Sequence, residues 1–203
     1  MPFKLKILFA LICLLFLFND IYSQSINLGF EFGIGQSKTR INTGGLDRIF
    51  KYDKEYPVRI QLNSIIEFVP KLSFLSVYSG LGYSQKGTEF IDLHYLSSPL
   101  ALKLYIGKQS VKPYFGGGVF ISLLLFKKDE YSEGYIDSYN TMDLGGFFNI
   151  GLTYEVNTKL RFFLDYKNFV SCYEVYSIAG GFQYVSRAHF LYIGIMINMY
   201  RHN

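Results

Sequence analysis

From Ile26 onward the chain alternates apolar and polar residues for most of its length, in roughly eight bursts of about ten to fifteen residues. Ile26-Asn27-Leu28-Gly29-Phe30-Glu31-Phe32-Gly33-Ile34 is the clearest of them. Successive side chains of a strand point to opposite faces, so one face of each burst meets oil while the other meets water or a small polar interior. Repeated around a ring, the pattern predicts an all-β fold: an eight-stranded antiparallel transmembrane β-barrel, wound as an up-and-down meander.

The first 23 residues read differently. Lys4 and Lys6 precede an apolar run from Ile7 to Phe18, and Ser23 offers a small residue before a cut at Gln24. That run is too short to span a bilayer as a helix, which takes about 20 apolar residues. Cys13 lies midway through it, not at its end after a small residue, so the leader is a plain export signal and not a lipoprotein signal. The expected division is therefore a removed signal peptide, 1–23, and one barrel domain, 24–203, located in the cell outer membrane.

Composition narrows the function classes. The formal net charge is +4, and removal of Lys4, Lys6 and Asp20 leaves +3, with the charges scattered along the chain. Nucleic acid is a poor partner for such a surface. Cys172 is the single cysteine of the mature chain, which leaves no intrachain disulfide and no thiolate metal site. The chain has no Trp but 18 Tyr and 20 Phe, and amphipathic tyrosine suits a membrane–water interface.

Eight strands are expected at about 26–35, 58–69, 73–84, 93–106, 111–126, 142–156, 160–167 and 189–200. Pro99 should mark a bulge or a local break in pairing. The stretch 168–187 reads either as an extension of both flanking strands around a tip near Gly180-Gly181, or as a loop. Connections near residues 70, 108 and 158 are tight, whereas 36–57 and 127–141 are long and polar. Short turns at one rim and long loops at the other are the habit of outer-membrane barrels.

Alternation sorts the charges. Glu31, Arg59, Glu67, Lys103, Asp143, Glu155, Arg161, Asp165 and Lys167 all fall on the polar face, and their signs nearly cancel. A Lys or Arg on the lipid side would cost about 2–4 kcal/mol at mid-membrane. Eight strands leave an interior about wide enough for side chains, and inward glycines such as Gly29, Gly82, Gly118 and Gly151 make room and ease curvature. A filled interior with paired charges is expected, not an open pore.

The leader, Asn27-Leu28-Gly29-Phe30, the stretch Tyr95-Leu96-Ser97-Ser98-Pro99-Leu100-Ala101-Leu102-Lys103, and Lys112-Pro113-Tyr114-Phe115-Gly116-Gly117-Gly118 resemble the PorT-like outer-membrane β-barrel family of Gram-negative bacteria. The middle stretch carries most of the likeness, as Tyr-Leu-x-x-Pro-Leu-x-Leu-Lys. The resemblance implies an eight-stranded barrel, with outer-membrane lipid and other envelope or secretion proteins as partners and a role in secretion or assembly. The chain departs from it at the end, where Arg201-His202-Asn203 follows Tyr200.

Other motifs weigh less. No glycine cluster fits G-x-x-x-x-G-K-[ST]. His94, His189 and His202 lack ligand spacing, so no metal or cofactor is expected. A barrel enzyme would draw on His94 and Asp143, which open strands, but no Ser–His–Asp arrangement emerges from the spacing. Beside a non-enzymatic envelope protein, a narrow pore and a soluble ligand-binding barrel stay open as readings. The loops are the natural place for contacts, with Arg40, Arg48 and Lys51 in the first long one and Tyr131, Tyr135 and Tyr139 in the third.

Overall fold

The computed structural model describes residues 23–42, 57–70, 74–87, 91–107, 109–129, 136–178 and 182–201. They form β1 (Ser23–Asn42), β2 (Val58–Pro70), β3 (Leu75–Gly87), β4 (Ile91–Tyr105), β5 (Val111–Asp129), β6 (Ile136–Tyr139), β7 (Met142–Glu155), β8 (Leu160–Ile178) and β9 (Phe182–Arg201). Each long strand pairs antiparallel with the next, and β1 closes the ring on β9. The result is an eight-stranded up-and-down barrel. Strand β6 is a short upper continuation of β7, paired with β8 beyond the break at Asn140-Thr141.

The faces follow the sequence alternation. Leu28, Phe30, Phe32 and Ile34 of β1 are exposed while Asn27 and Glu31 are buried. The same holds for Leu100 and Leu102 against Lys103 in β4, and for Ile193 and Ile197 against Tyr192 and Met196 in β9. A continuous apolar belt thus girdles the barrel, and the buried core is its interior.

Connections of four or five residues join β2–β3, β4–β5 and β7–β8 at one rim, the turn side. The expected sorting of lengths is only partial, since β3–β4 and β8–β9 are joined at the opposite rim through three residues each. At the β7–β8 turn, Asn157 Oδ1 accepts from the backbone N–H groups of Lys159 and Leu160, at 2.8 and 2.9 Å. At the β4–β5 turn Gly107 takes φ +87°, a conformation that favours glycine. The opposite rim is the loop side.

Pro99 breaks pairing as expected, yet within an unshifted register. The β3–β4 ladder pairs Ser79 with Leu100 and Gly82 with Ser97, and no pairs form between them. Proline lacks the N–H that Gly80 O would accept, and the Ser98 hydroxyl donates to that oxygen instead, at 2.9 Å. Ser79 Oγ likewise donates to Pro99 O, at 3.1 Å. The bulge lies elsewhere, between His94 and Tyr95.

Two expectations are corrected and one open alternative, for 168–187, is decided. Strand β1 does not end at 35 but runs to Asn42, paired with β9 throughout, so Arg40 sits on a strand opposite Val185 and not in a loop. The stretch 168–187 extends both flanking strands, as β8 and β9. Tyr139 lies on β6 opposite Tyr176, so the polar segment 127–141 is not all loop. In each case the ladder outlasts the apolar belt, because backbone pairing continues where neither face touches oil. Arg48, Lys51, Tyr131 and Tyr135 lie outside the described residues, as does the expected leader apart from Ser23.

Candidate functional site

The barrel interior gathers most of the buried polar chemistry, and it divides into two halves along the axis. On the turn side, Glu67 (β2) is fully buried and accepts from Asn27 Nδ2 at 3.3 Å and Ser76 Oγ at 2.7 Å. Tyr105 OH and Arg161 Nη2 also donate to it. Four strands therefore meet on one carboxylate besides its own.

Midway along, Glu31 Oε1 (β1) accepts from Asn63 Nδ2 at 2.8 Å, Tyr78 OH at 2.7 Å and Lys167 Nζ at 2.6 Å. Lys167 (β8) also donates to Tyr78 OH at 2.9 Å, and its Nζ lies 3.8 Å from Asp165 Oδ2 and 4.2 Å from the Tyr192 ring centre. Asp165 accepts from Asn149 Nδ2 at 3.1 Å. Lys103 (β4) bridges the two carboxylate centres without an ion pair among the described residues. Its ammonium sits 4.3 Å from the Tyr78 ring centre, 4.9 Å from Tyr114 and 5.4 Å from Phe163.

The loop-side half is built otherwise. Phe120, Phe147, Phe169 and Phe190 come from β5, β7, β8 and β9 and are each no more than 7% exposed. Phe169 is their hub, with ring centres 5.1 Å from Phe147, 5.5 Å from Phe120 and 6.2 Å from Phe190. Above Phe120 lies one buried ion pair, Lys86 Nζ–Asp143 Oδ2 at 2.6 Å. The Lys86 ammonium lies 4.1 Å from the Phe120 ring centre.

Six of the nine expected interior charges thus lie together: Glu31, Glu67, Lys103, Arg161, Asp165 and Lys167. The other three do not join them. Asp143 pairs with Lys86; Arg59 pairs with Asp92 at 2.5 Å on the loop-side rim; Glu155 pairs with Lys112 at 2.7 Å on the turn-side rim. Lys86 is the interior charge that the sequence pattern does not declare. It falls in phase with inward Ser76, Tyr78 and Ser84, but its neighbours Gln85 and Gly87 give it the look of a connection. The tyrosines are also redistributed, since Tyr78, Tyr95, Tyr105, Tyr114 and Tyr192 are buried and not at the membrane interface.

A vestibule of about 190 Å³ opens at the turn side, lined in part by Asn27, Tyr105, Lys112, Glu155, Arg161 and Asn198, and it stops at the Arg161–Glu67 pair. His94 and Asp143 do not meet. His94 is hydrogen-bonded to Tyr83 OH and stacks on Phe126 at 4.0 Å, while Asp143 is held inside by Lys86. Among the described residues no group of three His, Cys, Asp or Glu is placed to hold a metal.

The fold has solved relatives. Neisserial surface protein A superposes with a TM-score of 0.59 at 11% identity, over 86% of this chain and 97% of that one. The outer membrane protein OprG of Pseudomonas aeruginosa does so with a TM-score of 0.50 at 13% identity, over 88% and 97%. At such identities the likeness is one of fold. No curated protein matches the sequence. Residues 22–169 match the outer membrane protein beta-barrel domain, so the chain belongs to that family and is an outer-membrane barrel.

Proposed function

We propose that this protein is a closed, non-enzymatic barrel of the outer membrane that acts through its exposed rim as an envelope structural or interaction protein. The observation that carries this reading is the phenylalanine layer. Phe120, Phe147, Phe169 and Phe190 pack together from four adjacent strands while the other strands add buried side chains such as Gln61, Ser84 and Ser97, and no hydrated ion passes so filled an interior without large cost. The turns face the periplasm and the loops face outward, an orientation supported by the two long connections, those after β1 and β5, both of which leave the loop side. The apolar belt meets outer-membrane lipid.

The finer reading is a part in protein secretion or assembly at the outer membrane. It is supported by the likeness of 95–103 to the PorT-like pattern and by strands β1, β8 and β9, which rise past the belt on one side of the loop rim.

Planar-bilayer recording of the purified barrel tests the closed reading. No steady single-channel conductance is expected, and reproducible ohmic steps would replace it with a pore. Protease treatment of intact cells should cut in the loops, and co-purification from envelopes should return secretion or assembly proteins; envelopes lacking such partners would remove the finer reading.

A further inference from the structure

The apolar belt ends at a defined edge on the loop side. In β9 the outward series Ile197, Ile193, Leu191 gives way to His189 and Arg187; in β8, Leu164 and Tyr166 give way to Asn168, with one further apolar residue, Val170, paired with Arg187; in β1, Phe32 and Ile34 give way to Gln36. The register puts these changes side by side. His189 is paired with Asn168 on one flank and Gln36 on the other, and Arg187 is one step up on the same outward face. The result is a polar cluster at headgroup height, continuous with the oil-facing surface below it.

The histidine is fixed and its free nitrogen is defined. Asn168 Nδ2 donates to His189 Nδ1 at 2.6 Å, and Tyr166 OH lies 3.1 Å from the same nitrogen, its ring stacked on the imidazole at an 11° interplanar angle. With Nδ1 accepting, the proton of a neutral ring sits on Nε2, which is left as a donor. Arg187 takes part in no ion pair with a described carboxylate. A half-buried guanidinium and an imidazole N–H on one face, two residues apart, form a donor set suited to a phosphate oxygen.

The other belt-edge histidine differs. His94 is covered by Phe126, and its Nε2 is buried without a partner, so the β4–β5 edge offers no such donor although Lys128 lies two residues from Phe126 on the same strand.

We propose that Arg187 and His189, braced by Asn168 and Tyr166, seat a phosphate group of a lipid headgroup at the loop-side edge of the belt. The occupant is the phosphorylated glycolipid of the outer leaflet. That choice rests on the outward orientation of the loops, which the protease experiment on intact cells tests separately.

The test is a titration of the delipidated full-length barrel, in non-ionic detergent, with lipid A, the bound fraction being read by native mass spectrometry. One lipid A per barrel is expected at saturation, without competition from millimolar inorganic phosphate and without binding of phosphatidylcholine. Arg187→Gln should weaken binding about fivefold, the effect of one cation at a membrane surface. His189→Ala should weaken it further, His189→Asn less, and Lys128→Gln not at all, each variant first being shown to keep its heat-dependent gel shift. Equal losses in Arg187→Gln and Lys128→Gln would mean diffuse charge attraction and overturn the site. So would unchanged affinity in Arg187→Gln, or equal displacement by inorganic phosphate.

Discussion

The two halves of the bore solve one problem, a narrow space to be filled, by opposite means. The turn-side half uses tyrosines and charges: Glu67 and Glu31 between them collect seven side-chain hydrogen bonds, from donors on β1, β2, β3, β4 and β8. The loop-side half uses phenylalanine, with the Lys86–Asp143 ion pair on top and the Arg59–Asp92 pair at the rim. A polar network of this density is all-or-nothing, since each orphaned group in a low-dielectric interior costs its own desolvation. An aromatic layer fails more gently, because its loss is packing and area. The halves thus divide the labour: the turn side sets register, many directional bonds agreeing on one arrangement, whereas the loop side seals.

The heaviest loss should come from the register-setting half. Glu67→Ala removes the acceptor for Arg161, Tyr105, Ser76 and Asn27 at once and leaves the Arg161 charge buried without its partner. A loss of about 3–5 kcal/mol is expected, measured by urea unfolding of the refolded barrel in micelles. A loss under about 1 kcal/mol, no more than a typical single hydrogen bond, would mean that water from the vestibule replaces the carboxylate, and the directional account of this half would fall.

Phe169→Ala comes next. It removes the ring that Phe120, Phe147 and Phe190 share, and a cost of about 3 kcal/mol is expected. The sharper readout is conductance. The variant should admit small, flickering currents where the native barrel has none, while Glu67→Ala should remain closed because its defect lies below an intact seal. Currents in Glu67→Ala alone would reverse the roles of the halves.

These faces are largely legible in the sequence, and the reason is local. Between oil and a mixed interior, period-two contrast is forced at every residue, so Phe30 against Glu31 or Leu102 against Lys103 declares its side. Beyond the belt the outward face no longer meets oil while the inward face stays polar, as at buried Ser37, so Gln36-Ser37-Lys38-Thr39-Arg40 carries no apolar alternation although its backbone still pairs with β9. Lys86 is hidden by the same fading contrast. The partition of the interior charges is illegible for another reason. Which carboxylate meets which cation depends on register and strand tilt, so Asp143, Arg59 and Glu155 join the polar face in sequence but not the central network in space.

Ser98→Ala probes the wall between the halves. It deletes the hydroxyl that serves Gly80 O beside Pro99, and a loss of about 1 kcal/mol is expected. Pairing with Pro99→Ala should recover most of it, since alanine restores the N–H to the ladder. Absence of that recovery would show that the Ser98 bond is incidental to the break.

A near-neutral double change best separates the two designs. Lys86 and Asp143 serve mainly each other, with side-chain exposures of 2% and 1%. Replacing both, as Lys86→Met with Asp143→Leu, removes two desolvated charges together and leaves apolar groups of similar bulk on Phe120. Such swaps of buried pairs are commonly neutral or stabilising, so the stability should stay within about 1 kcal/mol of the native value or rise. Lys86→Met alone should cost about 3 kcal/mol, because the buried Asp143 would then stand without its cation. The matching swap on the turn side, Glu67→Leu with Arg161→Met, should fail to recover, since Tyr105, Ser76 and Asn27 would still lack their acceptor. Recovery there to the extent seen on the loop side would make the Glu67 centre an ion pair with bystanders. Failure on the loop side as well would mean that Lys86–Asp143 carries register of its own, and the seal would be polar after all.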